Sequence, residues 1–209
     1  MAVEGRAGGF TLIELLIVVA IIGLLVAMTL PAISKARLQA RVVVAHVDLR
    51  SIELALHMYA EDHRGALPPT RASCSLRTEF ELPVELSDTK YLPPGEKNGL
   101  PVTDMKDIFD PNSSYKYRAP GDVVLNESER RTDWRLWVPD DAPYCRSEAG
   151  AYYSDRQSSP IRYAIWSVGP RPDWLQTQPA WGRAPLPRRF WYTPEQGAGL
   201  ITHYQDARF

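Results

Sequence analysis

At 209 residues the chain has room for one or two domains. Lys and Arg number 24 against 25 Asp and Glu, and the formal charge of −1 removes any global electrostatic case for a nucleic-acid partner. Its 18 prolines lie almost wholly after residue 66, together with all 6 tryptophans, so that part reads as a loop-rich, extracytoplasmic head rather than a helical one.

Residues 1–9 are short and polar, with Glu4 and Arg6 cancelling. From Phe10 to Ile33 there are 24 residues and one charge, Glu14. An apolar run of about 20 residues is enough to cross the hydrocarbon core of a bilayer. A carboxylate near the start of such a run is costly in lipid and points to a function and a partner. If the chain is cut after Gly9, the new α-amino group of Phe10 lies four residues before Glu14, one helical turn away. A secretory signal peptide has its small-residue cleavage site after the apolar core. Here Gly8-Gly9 precedes the run, so cleavage would leave the anchor on the mature chain. Ala20, Gly23 and Ala27 are small enough to let helices approach closely.

Gly9, Phe10, the stretch Thr11-Leu12-Ile13-Glu14-Leu15 and the apolar run through Ala27 resemble the type IV pilin and type II secretion pseudopilin family. Pro31 falls where that family has a helix-kinking proline. The resemblance implies cleavage between Gly9 and Phe10 by a prepilin peptidase and N-methylation of Phe10. It gives Glu14 the role of an assembly residue that neutralises a buried amine in a filament of bundled helices. It further implies a single pass through the bacterial inner membrane, leader cytoplasmic and head periplasmic. The implied partners are the peptidase, other pseudopilin or pilin subunits, an inner-membrane assembly platform, and lipid before assembly. No enzymatic step falls to the chain, and no nucleic acid is expected. Lys35, Arg37 and Arg41 follow the anchor, and the positive-inside rule alone would place that flank in the cytoplasm. Leader processing at the cytoplasmic face requires the opposite orientation, which is the one adopted.

Beyond Pro31 the helix is expected to continue. Leu38, Val42, Ala45, Leu49, Ile52, Leu56 and Tyr59 step by four and three, keeping one narrow face apolar. His63-Arg64-Gly65 supplies cations and a capping glycine, and Pro68-Pro69 blocks continuation. The expected divisions are 1–9 leader, 10–33 membrane-spanning and filament-core helix, 34–65 amphipathic continuation, and 66–209 β-rich head.

Three later stretches resemble the major, G-type pseudopilins in particular. They are Leu54 to Gly65 at the helix end, Phe109-Asp110-Pro111 with Tyr115 to Gly121, and Tyr163-Ala164-Ile165-Trp166-Ser167-Val168-Gly169. Read by pattern alone, Tyr115 to Arg118, Val123 to Leu125, Trp134 to Val138, Ile161 to Val168, Phe190 to Tyr192 and Leu200 to Tyr204 are strands. Pro120-Gly121 is a turn pair and Gln176 to Pro187 a loop. Residues 70–110 carry little pattern. The fold class is α+β and pilin-like: a long N-terminal helix packed on a small antiparallel sheet.

The usual signatures of chemistry are absent. His46, His57, His63 and His203 show no zinc-ligand spacing, and Cys74 and Cys145 make no Cys-x-x-Cys pair. No nucleophile elbow or phosphate-binding glycine loop occurs. Outside the cytoplasm Cys74 and Cys145 can pair, worth roughly 4 kcal/mol in the chain-entropy model; two free thiols are the other reading. Glu61-Asp62 and Asp140-Asp141 read as solvated charges. The major pseudopilins hold calcium in an acid-rich late loop. Here Gly169-Pro170-Arg171-Pro172-Asp173-Trp174 offers one carboxylate and one arginine, too few hard oxygens, so calcium is disfavoured and no cofactor or metal is expected.

The sequence thus points to a structural pseudopilin subunit for type II protein secretion. A type IV pilus or competence-pilus subunit, and a tethered periplasmic binding module, are the other two readings.

Overall fold

A computed structural model describes residues 10–73, 78–97, 99–126, 128–132, 134–142, 149–171 and 188–207. Gly9, Cys74, Cys145, the Pro172-Asp173-Trp174 end of the Gly169 to Trp174 loop and the whole of the Gln176 to Pro187 loop lie outside them.

Helix α1 runs from Leu12 to Asp62, 51 residues without interruption across Pro31. Contacts divide the chain into one unit up to Ala40 and a second from Arg41 onward. In the first unit the described helix is exposed apart from half-buried Leu38, and its apolar part is long enough to cross a membrane. In the second unit Val42, Ala45, Leu49, Ile52, Ala55, Leu56 and Ala60 are buried along one face. This is the face that the four–three spacing predicts, with Tyr59 packed at its edge.

The helix ends earlier than the expected boundary at residue 65. Arg64 takes the left-handed conformation at φ 56°, and Gly65 follows at φ 82°. The Gly65 N–H reaches back to the Ala60 carbonyl at 2.7 Å, the long bond of a Schellman cap. The left-handed cap position is therefore held by an arginine, and the glycine follows it.

Among the described residues thirteen strands follow: β1 (Thr70–Ser73), β2 (Thr78–Glu79), β3 (Pro94–Lys97), β4 (Leu100–Thr103), β5 (Lys106–Asp107), β6 (Asp110–Ser114), β7 (Lys116–Arg118), β8 (Val123–Leu125), β9 (Glu129–Arg131), β10 (Leu136–Pro139), β11 (Gly150–Tyr153), β12 (Ile161–Ser167) and β13 (Ile201–Asp206). The α+β, pilin-like class is borne out, but the head is several small sheets. The order β13-β12-β7 is antiparallel, and β2-β1-β8-β9 carries one parallel pairing, β1 with β8. Three hairpins, β3–β4, β5–β6 and β10–β11, complete it. Pro120-Gly121 separates β7 from β8, which pair into different sheets rather than with each other. Phe190 to Tyr192 is not a strand: a 3-10 turn covers Arg188–Phe190, and the pairing of Trp191 with Leu200 is an isolated bridge.

Strand β12 is the centre of the head. Tyr163 and Ile165 face the helix in a core with Leu49, Ile52, Leu56, Tyr115 and Tyr117. Ala164 and Trp166 face away, into a second core with Phe80, Val123, Leu136 and Val138. A strand covered on both sides must be apolar at successive positions, which is why Ile161 to Val168 has no clear alternation. Full burial of Leu49, Ile52 and Leu56 contributes on the order of 1.5–3 kcal/mol each.

Polar ties fix the helix to the head. Tyr115 donates its phenol to Asp48 at 2.6 Å and Tyr91 donates to Asp62 at 2.7 Å. Arg41 stacks over Phe109 at 4.7 Å and donates to the Ile108 carbonyl. In the second core Arg118 lies over Phe80 at 4.4 Å and donates to the Arg135 carbonyl at 2.8 Å. Burial pulls its pKa down to about 10, so it stays cationic at neutral pH.

Candidate functional site

The N-terminal end of α1 carries the sequence-predicted site residues Phe10 and Glu14; Gly9 lies outside the described residues. Phe10 is 78% exposed. Thr11 is the N-cap. Its hydroxyl oxygen accepts the Glu14 N–H at 3.3 Å, while Glu14 Oε2 accepts the Thr11 N–H at 2.9 Å and its hydroxyl at 2.7 Å. This is a reciprocal capping box, Thr-x-x-Glu. The sequence shows it plainly at Thr11 to Glu14, yet reading Glu14 only as a charge in an apolar run passes over it. The carboxylate therefore has a partner within its own subunit, Thr11, while remaining open to solvent. A neighbouring ammonium can reach it without breaking any buried contact.

Pro31 lies inside the continuous helix and has no N–H to give the Ala27 carbonyl. Nearby, Thr29 and Ser34 turn their hydroxyls back onto the carbonyls of Val26 and Leu30, at 3.1 and 3.0 Å. Ala20, Gly23 and Ala27 share the exposed apolar stretch, and a Cβ added to Gly23 meets nothing within 4 Å.

In the head, the Ser167-x-Gly169 motif gains a physical account. Ser167 donates to Asp107 Oδ1 at 2.8 Å, and its own oxygen accepts the Gly169 N–H at 3.0 Å. The same carboxylate accepts the N–H groups of Val168 at 2.8 Å and Phe109 at 2.9 Å. Burial pushes the Asp107 pKa up against these donors. Gly169 has φ 67°, and a Cβ there would sit 1.8 Å from the Gly199 carbonyl oxygen, so no other residue fits. Asp107 was not singled out in the sequence; the clue was an acid two residues before the Phe109-Asp110-Pro111 segment.

Among the described residues no group of three or more His, Cys, Asp and Glu side chains is gathered for a metal. The fold nevertheless brings together two histidines that lie 157 residues apart, His46 and His203, at 3.0 Å. Burial, then His203 and Arg50, lower the His46 pKa. His57 instead meets the edge of Tyr163, and His63 stacks on Tyr59. Asp140 is exposed at a turn after β10, as expected of a solvated charge, whereas Asp141 is half-buried there. A groove beside β1 and β8 is lined by charges that already have partners. Arg71 pairs with Glu85, Arg130 lies 3.9 Å from Asp122, Arg156 donates to the Leu67 carbonyl, and Asp155 accepts from Ser158.

Comparison with known proteins agrees with this arrangement. The prokaryotic N-terminal methylation motif matches residues 5–30, which hold Phe10, the capping box and most of the apolar helix. The chain is 36% identical over 118 residues to type II secretion system core protein G of Pseudomonas aeruginosa, a span of 56% of this chain and 76% of that protein. No solved structure matches. An N-terminal methylation motif opening one long apolar helix, with an α+β head behind it and this degree of identity, places the chain in the G-type pseudopilin family.

Proposed function

We propose that this pseudopilin is cut between Gly9 and Phe10 by a prepilin peptidase, N-methylated at Phe10, and built into a periplasmic pseudopilus that serves type II protein secretion. The observation that carries the reading is the register at the helix start: Phe10 and Glu14 one turn apart, at the head of an apolar helix that is exposed among the described residues. Before assembly the helix crosses the inner membrane once, leader in the cytoplasm and head in the periplasm. Assembly exchanges lipid for the helices of other subunits at an inner-membrane platform. The role is structural, with no catalytic step. Pro31 kinks the helix within the bundle.

Glu14 is the discriminating residue. In the isolated chain it caps its own helix through Thr11. In a filament its carboxylate neutralises the Phe10 ammonium of a neighbour, and a buried ammonium without that partner is strongly disfavoured. Three variants separate the two duties. Glu14→Ala inserts, because alanine makes the span more apolar, and fails to form filaments. Glu14→Gln keeps hydrogen-bonding capacity and loses the charge; it behaves like alanine with weak residual assembly. Thr11→Ala removes the cap, worth about 1 kcal/mol, and keeps the carboxylate; it still assembles. Filaments are counted by shearing and immunoblotting against total membrane protein. Wild-type yield from Glu14→Ala, or equal loss from Thr11→Ala, removes the intersubunit role.

A further inference from the structure

Helix α1 and the last strand meet at a cluster that the assembly role does not use. His46 and Glu53 are seven residues apart, two helical turns, and so share one face of the helix. On β13, His203 lies opposite Ile165 of β12 and therefore on the side of the sheet that faces the helix. His46 Nδ1 and His203 Nε2 come to 3.0 Å, with the ring planes inclined by 37°. Glu53 Oε1 sits 3.4 Å from the other nitrogen of His203, Nδ1. The His203 side chain is 19% exposed and His46 lies at the surface, so the meeting point opens to solvent.

Two imidazole nitrogens that bind one ion at 2.0–2.1 Å are about 2.9 Å apart at a right angle and about 3.3 Å at the tetrahedral angle. The observed separation falls within that range. A carboxylate holding the far N–H of one imidazole is the usual support of a metal-binding histidine, fixing its tautomer and ring orientation. We propose that His46 and His203 chelate a divalent first-row transition ion that favours imidazole, Cu2+ or Zn2+, with Glu53 orienting His203 and water completing the coordination. Nitrogen donors of this kind select such ions over Ca2+ and Mg2+, which take oxygen. The separation is nearer the right-angle value, and imidazole affinity rises to Cu2+ along the first row, so Cu2+ binds more tightly than Zn2+. Without an ion the two nitrogens share one hydrogen bond. Binding requires His46 to move its proton to Nε2, which faces away from His203. Arg50, one turn from His46, weakens attraction for any cation and sets a modest affinity. The bound ion ties the C-terminal strand to the helix.

The test uses the full chain in detergent micelles, stripped with EDTA and with its thiols alkylated, then titrated with CuCl2, ZnCl2 or CaCl2. Wild type is expected to bind one Cu2+ or Zn2+ per chain, with a Tm that rises with either ion and not with calcium. The Cu2+ form should show nitrogen hyperfine splitting in its electron paramagnetic resonance spectrum. His46→Ala, a surface change, should fold with nearly unchanged Tm in EDTA and lose both the ion and the ion-dependent rise. Glu53→Gln should bind about 10- to 100-fold more weakly. Failure of wild type to bind either ion overturns the proposal, as does unchanged stoichiometry and affinity in both His46→Ala and His203→Gln.

Discussion

Asp107 and Ser167, 60 residues apart, share a hydrogen bond of 2.8 Å that joins the β5–β6 turn to the end of the central strand. The Asp107 carboxylate also takes two backbone N–H groups, so its loss leaves three donors without an acceptor. Asp107→Ala should cost about 2–3 kcal/mol, read from urea unfolding. The pH dependence has a definite sign. Burial raises the folded-state pKa above its ordinary value, so the folded state holds this proton more tightly than the unfolded state does. The contribution is full below the unfolded pKa and is lost as pH rises through the folded one. Asp107→Asn should abolish that slope, and an unchanged profile would contradict the assignment.

The amphipathic half of the helix is held by its buried face. Ile52 has no exposed surface, and Ile52→Asp places an unpaired charge there. A fragment beginning at Ser34 should be soluble, folded and monomeric. The same fragment carrying Ile52→Asp should lose about 4 kcal/mol or more and show no cooperative thermal transition. A transition at the wild-type temperature would mean this face is not a core.

Tyr115 donates to a carboxylate, so Tyr115→Phe removes one charge-assisted hydrogen bond and no packing volume. The expected loss is about 1.5–3 kcal/mol. A double-mutant cycle with Asp48→Asn checks it: the second change should add little once the phenol is gone.

Gly169→Ala must fail for two reasons at once, a left-handed φ and a carbonyl oxygen where the new methyl would sit. Gly121→Ala is the control. It shares only the positive φ, with nothing within 4 Å of the added carbon, and should cost about 1 kcal/mol. Similar thermal shifts for the two would show that the Gly199 contact has no force.

Processing gives a prediction at the other end of the chain. Gly9→Val should block maturation, because a branched side chain does not fit a cleft built for glycine. Mass spectrometry of membrane-extracted protein should find Phe10 as the wild-type N-terminus and an intact leader in the variant.

What the sequence made legible follows from periodicity. The four–three face from Val42 to Leu56 could be read because helical spacing is local, and every predicted position there is buried or half-buried. The strand at 161–167 was legible because an apolar run bounded by Gly169-Pro170 leaves little choice. Residues 70–110 were not. Their strands are two to four residues long, and Lys106-Asp107 buries an acid that depends on two donors some sixty residues away, Ser167 and Val168, besides the nearby Phe109 N–H. Strand partnership was equally hidden: β1 lies beside β8 in parallel, across about fifty residues that carry no mark of it. The capping box at Thr11 to Glu14 was in plain view, but a lone carboxylate in an apolar run draws attention to lipid before it does to helix ends. His46 and His203 belong to different elements, and no spacing rule joins them.

The two-sided burial of β12 bears on the order in which the molecule is made. The helix face with Leu49 and Ile52 emerges from the ribosome early, whereas Tyr163, Ile165 and Ile201, which help cover it, come more than a hundred residues later. At roughly 5–20 residues per second, that part of its cover is missing for on the order of ten seconds. Neither core closes before the final strand arrives, and a chain stalled after Ser167 would lack Leu200 and Ile201. A subunit that has not received β13 therefore has both cores open at once, on the helix side at Ile201 and on the far side of β12 at Leu200, and offers proteases two apolar gaps that the complete head does not.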